Sequence, residues 1–219
     1  MKKYAGLYFA VLVALAVFRP VAAETFPEAA PESQGMSSEA LKKLSAAVDG
    51  YLSADEIVGA ELVVIKNRRT VLHEVFGWKD RENGVKMDKN TRFNLRSMTK
   101  MLTGAAAQIL SDEGVLKLTD KVADYIPGFG NGKSGAITIQ QLLTHRSGLP
   151  LSILLTQEDL RSHDNLLSIA NATGEQGPKF EPEEKFWYSD AGSEALGAII
   201  EVISGMSLDK FVSGRILSP

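Results

Sequence analysis

With 219 residues, 44% of them hydrophobic, the chain is long enough to bury a sizeable core. A formal net charge of -3 gives it no electrostatic bias toward nucleic acid, and because it has no cysteine, neither a disulfide nor a lipidated cysteine can hold it. Lys2 and Lys3 precede an apolar run over 4–18, and Val21-Ala-Ala23 offers the small residues of a cleavage site before Glu24. Residues 1–23 are therefore expected to be a secretory signal. The alternative, a single membrane anchor, needs ~20 apolar residues and the run is shorter. The expected location is a bacterial periplasm or the outside medium, with no stable membrane anchor after cleavage.

Residues 24–35 form a proline-containing lead-in. Ser37 then has the place of an N-cap, with Glu39 favouring the helix dipole from the first turn. Leu41, Leu44, Val48, Tyr51 and Leu52 recur at helical spacing and give one face to bury. Two β-rich runs follow, 59–66 and 70–77, joined by Asn67-Arg-Arg69 as a hairpin. His73 lies inside the second run and reads as a sheet residue, with no serine or acid sharing its signal. The charged stretch 79–90 contains the turn dipeptide Asn83-Gly84 and reads as a surface connection.

From 98 to 110 the residues are apolar or small almost all round, with Lys100 as the one charge, and a helix without a polar face is normally buried. Lys100 stands three residues after Ser97, so the two are neighbours on a helix surface. Burial pushes a lysine toward its neutral, proton-accepting form, and a base beside a hydroxyl makes a nucleophile. Ser-x-x-Lys recurs at Ser207-Leu-Asp-Lys210, so spacing alone does not choose between them. The second follows Gly205 and opens a short amphipathic run, which makes Ser207 an N-cap and Lys210 a solvated side chain.

Downstream the pattern is helices and loops. Thr119-Asp-Lys begins a short helix ended by Pro127, and Thr138-Ile-Gln-Gln141 is a capping box opening a helix over 138–145. Between them, 127–134 looks like a phosphate-binding loop, but the first glycine of that motif falls on Pro127, so a flexible surface loop is expected. Ser147 lacks the Gly-x-Ser-x-Gly frame of a nucleophile elbow, and His145-Arg-Ser-Gly148 reads as a helix exit. Asn171-Ala-Thr173 matches a glycosylation acceptor, which carries little meaning in a bacterial exported protein. An aromatic-rich loop over 180–190 runs into the apolar helix 195–203, which Gly205 closes. Tyr188 projects just ahead of that helix as a possible proton carrier, while Asp190 is either its N-cap or part of a site.

Together, Ser97-Met-Thr-Lys100, Leu142-Leu-Thr-His-Arg-Ser-Gly-Leu149 and Tyr188-Ser-Asp190 resemble the serine β-lactamase and penicillin-binding-protein-like family, in particular its class C β-lactamase and family VIII esterase branch. The likeness spans about 35–219. It implies an α/β architecture of the α+β type, the β-lactamase/transpeptidase-like fold, with an antiparallel sheet packed against helices beside an all-helical domain. It also implies an acyl-serine mechanism without metal or cofactor: Ser97 as nucleophile, Lys100 as its base, Tyr188 relaying the proton to the leaving group, and the Ser97 N–H as one oxyanion donor. Asp190 stands where the family usually has asparagine, and an acceptor-only carboxylate cannot donate to substrate or to Lys100. The family's third motif, a Lys/His-Thr/Ser-Gly-type strand edge, should lie well downstream of Tyr188-Ser-Asp190 and does not occur between there and Pro219, and one hairpin is all that serves as a sheet. An incomplete domain is therefore expected, with 24–95 holding the first helix and hairpin, 96–219 mainly helical, and the C-terminal strands and helix missing.

The expected function is an exported serine hydrolase acting on a short-chain ester, a β-lactam or a peptidoglycan-like amide. The alternative is a penicillin- or peptidoglycan-binding sensor that does not turn over. Nothing in the sequence chooses between esterase, β-lactamase and D-amino-acid peptidase.

Overall fold

A computed structural model describes residues 26–154 and 156–218, and the chain divides into two units, one ending at Phe93 and one beginning at Asn94. The expected signal, 1–23, lies outside the described residues.

In the first unit, Ser37 caps helix α1 (Ser38–Ser53): its backbone is extended and its side chain accepts the Ala40 N–H at 3.2 Å. The helix packs on strands β1 (Gly59–Lys66) and β2 (Arg69–Asp80), which pair antiparallel with Lys66 opposite Arg69. Asn67 and Arg68 both take positive φ, 51° and 59°, and this left-handed two-residue turn matches the twist of the strands it joins. His73 is a sheet residue, its Nε2 set 2.7 Å from Glu61 Oε1 across the β1–β2 pair.

The stretch 79–90 is more than a connection. Gly84, at φ 68°, and Asp80, which accepts from the Asn83 N–H at 3.0 Å and its amide at 2.7 Å, turn the chain back into β3 (Val85–Lys86) beside the end of β2. Among the described residues the sheet thus has three strands in the order β1-β2-β3, one more than the expected hairpin. A two-residue strand is too short to print a period of two on the sequence.

The second unit is built on helix α6 (Asp190–Ser204), which buries Ala191, Gly192, Ala195, Leu196, Gly197, Ala198, Ile199 and Ile200. Its small residues let α2 (Thr99–Asp112), α3 (Ile139–Leu143), α5 (Leu166–Gln176) and α7 (Leu208–Val212) pack around it; α4 (Gln157–Arg161) lies in the connection before α5. Gly205, at φ 66°, ends α6 as its sequence position predicts. The Thr138 capping box forms as read, with Gln141 N to Thr138 Oγ1 at 3.3 Å and Thr138 N to Gln141 Oε1 at 3.0 Å, but α3 stops at Leu143. The turn expected to start at Thr119 is a 3-10 turn, Val122–Asp124.

The expected surface loop at 127–134 is exposed at Pro127 and over 130–133 but is anchored in the core at Gly128, Phe129 and Ser134. Phe129 is 0% exposed, the Gly128 N–H donates to Asn171 Oδ1 at 2.7 Å, and Ser134 Oγ donates to Gly174 O at 2.6 Å. A Cβ at Gly128 would overlap the Asn171 backbone, so glycine serves close approach to α5 here and not flexibility. The same contacts occupy the amide of the Asn171 sequon, whose Nδ2 donates to Leu167 O at 2.9 Å. Phe129→Ala is expected to cost about 3–5 kcal/mol, the range for emptying a fully buried aromatic site, read as a lower urea midpoint with unchanged slope.

Candidate active site

Ser97 sits in a 3-10 turn, Arg96–Met98, that runs directly into α2. Arg96 just before it has φ 50°, a left-handed conformation held by its N–H donating to Asn94 Oδ1 at 3.0 Å. Strain of this kind, of order 1–3 kcal/mol, persists where the surroundings impose it and is concentrated at active sites.

One turn on, Lys100 Nζ lies 3.3 Å from Ser97 Oγ, 2.5 Å from Asp190 Oδ1 and 4.8 Å from the centre of the Tyr188 ring. The four residues singled out in the sequence therefore meet. Their electrostatics differ from the expectation. Desolvation pulls the Lys100 pKa down, but hydrogen bonds and charge from Asp190 and then Tyr188 outweigh it and raise the ammonium above its ordinary value. The apolar stretch alone predicts the reverse, because it contains neither of those partners and assumes deeper burial: within this unit α2 buries Thr103, Ala106, Ala107 and Leu110, whereas Met101 is 70% exposed. Tyr188 moves the opposite way. Hydrogen bonds with Lys100 and Ser97 hold its phenol below the usual tyrosine value, against weaker opposition from desolvation and then from the Asp190 charge.

Asp190 is not the N-cap of α6. Ser189 is, its Oγ accepting the Gly192 N–H at 2.9 Å while donating to Pro150 O at 2.7 Å. This leaves the Asp190 carboxylate in the first turn, free to engage Lys100.

The second and third sequence segments are brought together by backbone. Going along 145–151, His145 O accepts from Trp187 N at 2.8 Å, Arg146 O from Glu183 N at 2.8 Å, Gly148 O from Lys179 N at 2.8 Å, and Leu151 O from Asp190 N at 2.7 Å. Arg146 adds a side-chain clamp, its Nε 2.6 Å from Glu183 Oε2. Gly148, at φ 75°, is required: a Cβ there would run into Phe180 O. The helix exit of the sequence reading is thus also the cradle that carries Tyr188.

Two further side chains stand at the site, His145 from the segment that carries the resemblance and Glu194, which the sequence reading did not single out. His145 has its Nδ1 3.3 Å from the Ser189 N–H, and burial, then the Lys100 charge, lower its pKa against the pull of Asp190. Glu194, one turn beyond Asp190, has its pKa raised by burial and then by the Asp190 charge, and its Oε2 finds no hydrogen-bond partner among the described residues. Ser97, Lys100, Asp190 and Glu194 line one cavity of about 440 Å³ together with Leu166 and Leu208, a size suited to a small molecule. The other Ser-x-x-Lys is bland: Ser207 precedes α7 without a side-chain cap bond, and Lys210 is exposed.

A family model described as Beta-lactamase matches residues 44–219. The chain belongs to the β-lactamase family. Protein flp of Staphylococcus aureus is 30% identical over 188 residues, covering 84% of this chain and 38% of that protein. The N-acetylmuramyl-L-alanine amidase of Bacillus subtilis is 28% identical over 254 residues, covering 100% of this chain and 55% of its own length. Among solved structures, that of SurE superposes with a TM-score of 0.71 at 28% identity, over 81% of this chain and 38% of the other. The β-lactamase/transpeptidase-like fold, helices with an antiparallel sheet, is thereby established, and the chain spans about two fifths of the length of the first of these relatives. The matching family model is thus named for β-lactamases, and one of these relatives is named an amidase.

Proposed function

We propose that this protein is an exported serine hydrolase working through an acyl-serine intermediate on a carboxylic ester or an amide such as a β-lactam or a peptidoglycan-like substrate. The observation that carries this reading is the joining of Ser97, Lys100, Tyr188 and Asp190 around one ammonium group. Ser97 Oγ attacks the carbonyl carbon and gives up its proton. The acceptor is Tyr188: its phenol ionises more readily than a free tyrosine, while Lys100 is held protonated by Asp190. On this reading Tyr188 takes the base role that the resemblance assigns to Lys100, and Lys100, 3.3 Å from Ser97 Oγ, is the cation that favours the phenolate. Tyr188 then returns the proton to the leaving group. Asp190 accepts from Lys100 and also lines the cavity, where it is the substrate-binding residue of this reading.

Export to the periplasm or the medium rests on Lys2, Lys3, the apolar run and the small residues at 21–23. Among the described residues no helix is long and apolar enough to cross a membrane. The test is intact-mass analysis of the full chain after exposure to a fluorescent penicillin and, separately, to p-nitrophenyl butyrate. A mass increase that maps to Ser97 and then decays with product release is expected. A persistent adduct on Ser97 makes the protein a sensor, the outcome that firm protonation of Lys100 favours, and failure to label Ser97 with either reagent overturns the acyl-serine reading.

A further inference from the structure

The catalytic roles above leave His145 unused, yet it grips the Tyr188 segment on both sides of the tyrosine. Its carbonyl oxygen accepts the Trp187 N–H at 2.8 Å, and its ring Nδ1 faces the Ser189 N–H at 3.3 Å. The ring lies 4.5 Å from that of Tyr188, tilted by 36°, and Phe186 meets it edge-on at 5.8 Å. A backbone N–H can only donate, so Nδ1 is the acceptor nitrogen and the proton of the neutral ring sits on Nε2. His145 also holds φ 55°, a left-handed conformation that helix exits usually give to glycine, and a side chain retained there at a cost in strain points to use.

We infer that His145, as the neutral Nε2–H tautomer, is the positioning residue for Tyr188: it fixes the N–H groups of the residues on either side of the tyrosine, backs its ring, and so sets where the phenol oxygen stands against Ser97 and Lys100. A second proton on the ring turns Nδ1 into a donor facing a donor and releases the Ser189 N–H. The site therefore loosens in acid. The charged groups facing the ring are Lys100 on α2, which opposes that proton, and Asp190 on α6, which favours it, with the phenol of Tyr188 alongside; Arg146, next in the chain, is engaged by Glu183. Burial reinforces the neutral form.

This inference rests on the catalytic reading of Tyr188, so its test includes readouts that need no turnover. In the full chain with labelled histidine, nitrogen NMR is expected to find His145 protonated at Nε2 alone near neutral pH; an Nδ1–H tautomer overturns the inference without any variant. Two variants then separate acceptor from ring. His145→Asn keeps an acceptor oxygen near the place of Nδ1 and tolerates left-handed backbone, whereas His145→Phe keeps a ring and loses the acceptor. With labelled tyrosine, and Tyr188→Phe to assign the signal, Tyr188 is expected to titrate below free tyrosine in the wild type and in His145→Asn, and to return toward the ordinary value in His145→Phe. On p-nitrophenyl butyrate, His145→Phe is expected to lower kcat by about 10–100-fold with KM within about threefold, the size of effect from misplacing a reacting group by ~1 Å, and His145→Asn to recover most of it. A folded His145→Phe protein whose Tyr188 titration is unmoved overturns the inference. A moved titration in a protein that acylates with no reagent leaves the positioning role standing and removes the hydrolase reading instead.

Discussion

Ser97→Ala is expected to abolish acylation and turnover, a loss of about 10³–10⁶-fold of the kind seen when a covalent nucleophile is removed, while Ser207→Ala leaves the rate within about threefold. The two serines share a motif and differ in everything around it. Ser97 follows a strained turn and has Lys100 Nζ at 3.3 Å, whereas Ser207 opens a five-residue helix and its Lys210 is exposed. Since Ser97 is exposed and caps nothing, its loss should change stability by no more than about 0.5 kcal/mol, so an inactive variant remains folded. The measurement is the rate of release of p-nitrophenol or opening of a chromogenic β-lactam, with thermal unfolding recorded beside it. Equal losses from both serines would remove Ser97 from its role.

Tyr188→Phe is expected to lower the acylation rate by about 10²–10⁴-fold, the span for losing a positioned proton acceptor. The pH profile carries the sharper statement. Acylation needs Tyr188 ionised and Lys100 protonated, so the rate rises as pH passes the lowered Tyr188 pKa and falls as pH passes the raised Lys100 pKa. Asp190→Asn removes the carboxylate that raises both groups. Both limbs of the bell should therefore move to lower pH, the alkaline limb by more, because Asp190 bonds Lys100 directly at 2.5 Å. An unchanged profile in Asp190→Asn would mean that Lys100 is not held by Asp190 in the working enzyme, and a profile in which activity requires neutral Lys100 would restore the lysine as base.

What the sequence by itself determined is local. Ser37, the Thr138 box, Gly205 and the Asn67 turn act within a few residues of their own position, so the physics that fixes them is written in adjacent letters. The Ser97–Lys100 pair is legible for the same reason, since three residues on a helix make neighbours. What only the tertiary structure decided is everything that depends on a partner far along the chain. Asp190 meets Lys100 across 90 positions of sequence, and that contact reverses the direction in which the lysine titrates. The cap of α6 is Ser189 and not Asp190, and its hydroxyl bonds both Gly192 N and Pro150 O, the latter on a different segment. The cradle over 145–151 holds Tyr188 mainly through backbone carbonyls, which every residue possesses, so it leaves no mark on composition. Gly128 and Phe129 read as surface in the sequence for the converse reason: glycine permits a mobile loop and a close backbone approach alike, and only the presence of α5 selects the second.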